Sequence, residues 1–128
     1  MELVAINEES KECVAVKIIH LGKKSSSVGP GKDGESDIEG QVTLEQHIYK
    51  EIDMMKRLSL HSNIVKLLDV IFESKTNTIF TVMEYCSNGE LFDLIAKTGG
   101  LSQDSAKFYF RQLIEAVNFI HVYGGAAH

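Results

Sequence analysis

Two short apolar runs open the chain, residues 2–6 and 13–19, separated by Asn7-Glu8-Glu9-Ser10-Lys11-Glu12. Apolar runs bounding a polar turn predict a β-hairpin. Periodicity is then lost over residues 21–42, where Gly, Ser, Asp and Glu dominate, Ser25-Ser26-Ser27 forms a low-complexity patch and Pro30 is the chain's only proline. That stretch predicts a flexible surface loop. Thr43 and Gln46 carry the spacing of a capping box, opening a helix that runs to about Leu58. Two further strand-like runs, Ile64–Phe72 and Thr78–Tyr85, flank the turn Glu73-Ser74-Lys75-Thr76-Asn77. A short helix is predicted from Leu91 to Lys97, closed by Gly99-Gly100. Ser102 then caps a long helix to about His121, with Ala106, Phe110, Leu113, Val117 and Ile120 along one stripe. Two hairpins with one helix between them predict an α+β layer, an antiparallel sheet backed by that helix.

Two charges break this pattern. At about 100° per residue, Leu44, Ile48, Ile52, Met55 and Leu58 share one face of the helix from residue 43 to 58. Glu51 falls in the middle of that face, whereas Lys50, Asp53 and Arg57 point away. A carboxylate in an apolar stripe is costly unless a cation meets it. Lys17 is the candidate cation, the only charge in Val14-Ala15-Val16-Lys17-Ile18-Ile19. The patterning fits either a strand-to-helix ion pair or a lysine that snorkels to the surface beside a solvated glutamate.

Composition narrows the class. With 128 residues, 44% hydrophobic and 24% charged, the chain is globular in character and long enough for one core. A formal net charge of −5 offers no basic stripe for nucleic acid. No run approaches the length of a membrane span, and Met1-Glu2-Leu3-Val4 has no secretion-signal character. Cys13 and Cys86 are far apart and lack the spacing of a zinc site, so buried or partly buried free thiols are expected. An intracellular protein, cytoplasmic or nuclear, is the corresponding expectation.

Five segments, in series, resemble the eukaryotic protein kinase domain. Val14-Ala15-Val16-Lys17 is similar to its V-A-I-K strand, and Glu51 falls where the family's small-lobe helix supplies the partner of that lysine. His61-Ser62-Asn63-Ile64-Val65-Lys66-Leu67 resembles the family's H-P-N-I-V-x-L segment, with Ser62 in place of the proline. Val82 to Phe92 resembles the strand end, hinge and following helix, and Ala106 to His121 the next large-lobe helix. The wording of the last two is nearest the checkpoint, AMP-activated and calcium/calmodulin-dependent group of Ser/Thr kinases. The resemblance implies a small lobe over residues 1–85, with 21–42 as an insertion, and a hinge and first large-lobe helices over 86–128. It implies that ATP is held by Lys17, whose lysine counterpart binds the α- and β-phosphates, and by Glu51 as its ion-pair partner. Hinge backbone is implied to meet adenine through the Glu84 carbonyl and the N–H and carbonyl of Cys86. Met83 is the implied gatekeeper, Ala15 the residue against the adenine face and Glu90 a ribose ligand, although a residue favoured by the helix dipole explains Glu90 as well. Met55 and Leu67 are implied to belong to the apolar stack that aligns the helix with the site.

The family's first strand and Gly-rich phosphate loop are expected to precede Met1. His128 stands where the H-R-D catalytic loop would begin, so the catalytic Asp and the Mg2+ ligands are expected after residue 128. The expectation is therefore a kinase-like fold cut at both ends, part of an enzyme acting on protein substrates with ATP and Mg2+ and inactive as it stands, with no nucleic-acid or membrane partner. The alternative is a non-catalytic kinase-like module that binds and regulates another protein. The stripe of the last helix is expected to be exposed and to limit solubility. Ser25, Ser26, Ser27 and Ser36 are read as part of a tolerated surface insertion.

Overall fold

A computed structural model describes residues 1–22 and 35–124, with side chains described from Leu44 onward in the second span. Four antiparallel strands and three helices follow one another as β1 (Glu2–Ile6), β2 (Cys13–His20), α1 (Glu35–Leu58), β3 (Leu67–Glu73), β4 (Thr78–Glu84), α2 (Leu91–Thr98) and α3 (Gln103–Tyr123). Spatial order in the sheet is β1-β2-β4-β3. The two predicted hairpins are present, and the non-sequential β2–β4 pairing joins them across α1.

Each hairpin is closed by local chemistry. In the first, Asn7 Oδ1 accepts from the backbone N–H of Glu9 and of Ser10, and Lys11 takes a φ of 61°. This is the turn for which asparagine side chains are suited. In the second, Glu73 Oε2 accepts from the Thr76 N–H at 2.9 Å and from its hydroxyl at 3.0 Å. Those bonds, the backbone one first, hold the Glu73 carboxyl below its ordinary range. A lowered carboxyl pKa stabilises the turn above the ordinary value, and the contribution fades as pH falls through the lowered one. Asn77 supplies the left-handed residue, φ 48°, and its Nδ2 donates to the Gly22 carbonyl at 2.8 Å, anchoring the exit of β2.

Helix α1 begins at Glu35, eight residues before the expected start, and Thr43 lies inside it. The Gly, Ser, Asp and Glu composition of 21–42 argued for a loop, yet it does not exclude a helix over its last residues. Residues 23–34, including Ser25–Ser27 and Pro30, lie outside the described residues. The third predicted strand also starts late, at Leu67, because Ile64 N–H is tied to the His61 carbonyl in a turn.

The core is small and sits between α1 and one sheet face. Leu21, Ile48, Ile52 and Ile79 form it, with Ile19, Leu67 and Val70 packed around them. Ile79, 1% exposed, is the largest fully buried side chain. The wheel placed Ile48, Ile52 and Leu58 on the buried face correctly, whereas Leu44 is exposed. Ser102 caps α3 as expected, its Oγ accepting from the Ser105 N–H at 3.2 Å. The stripe read for that helix does not face the sheet: Ala116 is the buried position, while Phe110, Leu113 and Ile120 are exposed. Helix α2 buries no residue. No helix among the described residues is long and apolar enough to cross a membrane.

Replacing Ile79 by alanine removes the centre of this cluster. The expected cost is about 3 kcal/mol, seen as a lower urea midpoint at unchanged slope. A loss below about 1 kcal/mol would place the core elsewhere.

Candidate functional site

Alternation along the strands puts a set of polar and apolar side chains on the face that α1 covers. Register pairs Ala15 with Met83, Lys17 with Thr81 and Ile19 with Ile79 between β2 and β4. On the opposite side of β2, Glu2 of β1 stands across from Lys17. Helix α1 contributes Ile48, Glu51, Ile52 and Met55 from successive turns, and with Glu2, Lys17, Ile19, Thr81 and Met83 they line a recess of about 210 Å³. Its floor is apolar and its charged groups are Lys17, Glu51 and Glu2. Ligand pockets usually enclose about 300–1,000 Å³, so the recess fits part of a ligand rather than the whole of one.

The strand-to-helix ion pair forms. Lys17 Nζ lies 3.4 Å from Glu51 Oε1. The reason it forms differs from the one the sequence suggested. The two side chains are 44% and 57% exposed, so Glu51 is not a charge buried in an apolar stripe but sits at the solvated rim of α1's packing face. Pairing here sets the geometry of two polar heads above an apolar floor. It adds little stability, since exposed pairs contribute about 0–1 kcal/mol.

The remaining predicted residues divide in two. Ala15, buried, and Met83 and Met55, half-buried, share the face of Lys17. Leu67 is half-buried at the start of β3 and packs on the core cluster. Glu84, the last residue of β4, and Cys86 and Glu90 after it do not line the recess, nor does Ala15. Glu84 ends the strand, its N–H donating to the Lys66 carbonyl at 2.9 Å and its Oε2 accepting from the Lys66 N–H at 3.2 Å. After it the chain turns: Gly89, φ 76°, donates its N–H to the Cys86 carbonyl at 3.2 Å. Glu90 occupies the N-cap position of α2, yet its side chain makes no capping bond. Cys86 and Cys13 are both exposed, which corrects the expectation of buried thiols. Cys13 opens β2 and Cys86 follows the end of β4, positions that no neighbouring element among the described residues covers.

Three contributors were missed in the sequence. A hairpin closed by the turn 7–12 puts Ile6 opposite Cys13 and therefore Glu2 opposite Lys17, a signal present in the spacing alone. Thr81, 2% exposed, lies beneath Lys17 and donates its hydroxyl to the Lys17 carbonyl at 3.5 Å. Asn63 bridges α1's exit to α3, its Nδ2 donating to the Gln112 carbonyl at 3.3 Å and to Glu115 Oε2 at 3.2 Å. Beside it the His61 and Phe119 rings lie 4.9 Å apart. His128 lies outside the described residues. The sequence spells G-x-G-x-x-G once, at Gly29-Pro30-Gly31-Lys32-Asp33-Gly34, but after the lysine rather than before it and outside the described residues. Among the described residues no group of three or more His, Cys, Asp and Glu is placed to hold a metal ion.

Comparison with known proteins gives the same direction as the motifs. The family model described as protein kinase domain matches residues 3–128. CBL-interacting serine/threonine-protein kinase 7 of Arabidopsis thaliana is 38% identical over 94% of this chain and 24% of its own length. CBL-interacting protein kinase 12 of Oryza sativa subsp. japonica is 39% identical over 91% of the chain and 18% of its own length. Maternal embryonic leucine zipper kinase of Xenopus tropicalis is 47% identical over 59% of the chain and 11% of its own length. The chain thus spans a quarter or less of each of these relatives.

A double-mutant cycle on Lys17→Met and Glu51→Gln is expected to give a coupling of under about 1 kcal/mol in urea unfolding. A coupling above about 3 kcal/mol would mean that the pair is buried in solution.

Proposed function

Given that this chain belongs to the protein kinase domain family, we propose that it supplies the nucleotide-facing part of an ATP-dependent serine/threonine kinase acting on protein hydroxyls. The observation that carries the reading is the Lys17–Glu51 pair, held at 3.4 Å above an apolar recess that Met83 and Met55 help to line. A lysine fixed by a carboxylate presents one cation at a defined point, which is what a polyphosphate tail needs from its site. ATP, when bound, supplies the phosphoryl group that is transferred.

The chain's own residues take the roles expected of them. Lys17 meets the phosphates, and Glu51 keeps its ammonium extended into the recess. Ala15, opposite Met83, offers a small flat contact to the adenine face. Met83 limits the depth of the pocket. The Glu84 carbonyl and Cys86 N–H give adenine one acceptor and one donor, and the Cys86 carbonyl keeps a lone pair beyond the one that Gly89 uses. Glu90, free of its helix cap, is available to ribose hydroxyls. In this reading residues 1–85 form the small lobe and 86–128 the hinge and first large-lobe helices. Protein kinases use Mg2+ with ATP, and its ligands in this protein are assigned to residues after 128.

A second reading is a non-catalytic module that docks on another protein. The exposed Phe110, Leu113 and Ile120 of α3 favour it, because a stripe of that size is an interaction surface when nothing folds over it.

Because the 128 residues contain neither an H-R-D loop nor a D-F-G metal ligand, the isolated chain is expected to transfer no phosphate from ATP to a generic protein substrate. Transfer that is abolished by Lys17→Ala would contradict this. The intact mass of the natural protein separates the two readings. A product much larger than 14.2 kDa, carrying both a Gly-rich loop and an H-R-D loop, supports the enzyme, and one of that mass supports the docking module.

A further inference from the structure

We propose that Glu2 sets the charge preference of the recess by competing, as a second carboxylate, for the Lys17 ammonium. β1 and β2 pair antiparallel with Glu2 directly opposite Lys17. Ile18 N–H donates to the Met1 carbonyl at 2.8 Å, and Met1 N lies 3.4 Å from the Ile18 carbonyl. Met1 and Ile18 are therefore the hydrogen-bonded pair, and the next pair along, Glu2 with Lys17, is of the non-hydrogen-bonded type. Side chains of that type stand closest across an antiparallel ladder, with Cβ atoms roughly 4.5–5.5 Å apart. Both point to the face on which the recess opens, and both line it together with Glu51.

Lys17 is thus shared. It meets Glu51 through one 3.4 Å contact between half-exposed side chains, and Glu2 makes no ion pair of its own among the described residues. A lysine on a flexible four-carbon stem can swing between a strand partner and a helix partner. One cation and two carboxylates leave the rim with a net charge of one minus. A polyanion entering the recess gains Lys17 but is repelled by whichever carboxylate the lysine leaves, whereas an uncharged ligand feels neither. Glu2 therefore acts as a specificity-determining residue, weakening highly anionic ligands relative to neutral ones. The assignment of a nucleotide's phosphates to this recess rests on the function proposed above; the sharing of Lys17 does not.

The test uses the 128-residue chain with Glu2→Gln, which removes the charge and keeps the side chain's size. The side-chain NMR signals of Lys17 and Glu51 are followed without ligand, and the chain is then titrated with inorganic triphosphate and, separately, with adenosine. The signals of both residues are expected to move, and triphosphate to bind about three- to tenfold tighter, as expected for one charge at ~5 Å in a water-like dielectric acting on a polyanion. Adenosine affinity is expected to stay unchanged, and Glu2→Asp to restore the original triphosphate affinity. Unmoved Lys17 and Glu51 signals, or a gain for triphosphate no larger than that for adenosine, would overturn the proposal. If Lys17 and triphosphate respond as stated while ATP, titrated in the same way, does not bind, the nucleotide reading fails and the assignment of Glu2 stands.

Discussion

The contact on which everything else depends is the docking of Ile48 and Ile52 of α1 onto Ile79 of β4. It is the centre of the only cluster of buried apolar side chains among the described residues. Ile79 is placed there because it alternates with Thr81 and Met83 on one face of β4, and register carries the same face across β2 as Ile19, Lys17 and Ala15. One apolar contact therefore fixes where a helix sits over a sheet. The polar chemistry follows from it: Glu51 lies between Ile48 and Ile52 on the helix and reaches the rim just above Lys17. The ion pair reports that docking and does not cause it, since two half-exposed charges cannot supply the energy.

Docking also sets the end of α1, and the chain uses that end to reach α3. Ser59 Oγ accepts from the Leu67 N–H at 2.8 Å and itself donates to the Met55 carbonyl at 2.6 Å, so helix exit and strand entry are tied together. Asn63 and His61, in the same turn, fasten α3 through Gln112, Glu115 and Phe119. α3 consequently has two working faces. One, centred on Ala116, meets this turn, and the other, with Phe110, Leu113 and Ile120, remains open.

Much of this was legible in the sequence. Strand and turn positions follow from alternation and from Asn7 and Asn77, both strong turn formers. Ser102 as the cap of α3 needs no tertiary information. The helical wheel left the Lys17–Glu51 pair open beside a snorkelling lysine, the motif resemblance implied it, and the two side chains meet at 3.4 Å. The errors have separate causes. Burial was read from local polarity at Glu51 and from residue type at Cys13 and Cys86, yet burial depends on which neighbouring elements cover a position. The start of α1 was missed because Glu35-Ser36-Asp37 and Gly40 read as loop composition. Glu2 was missed for a different reason: it is unremarkable along its own strand and gains meaning only from the residue across the ladder.

The site that results is one cation over an apolar floor, with acidic groups around the rim. In the proposed function, Lys17 is the point at which the phosphates of ATP meet this chain. That assignment is tested most directly with an ATP derivative that carries a lysine-reactive acyl phosphate, followed by peptide mapping of the labelled chain. The account predicts that the label falls on Lys17 and that excess ATP prevents it. Labelling spread over exposed lysines such as Lys50, Lys56 and Lys66, with no protection by ATP, would contradict it.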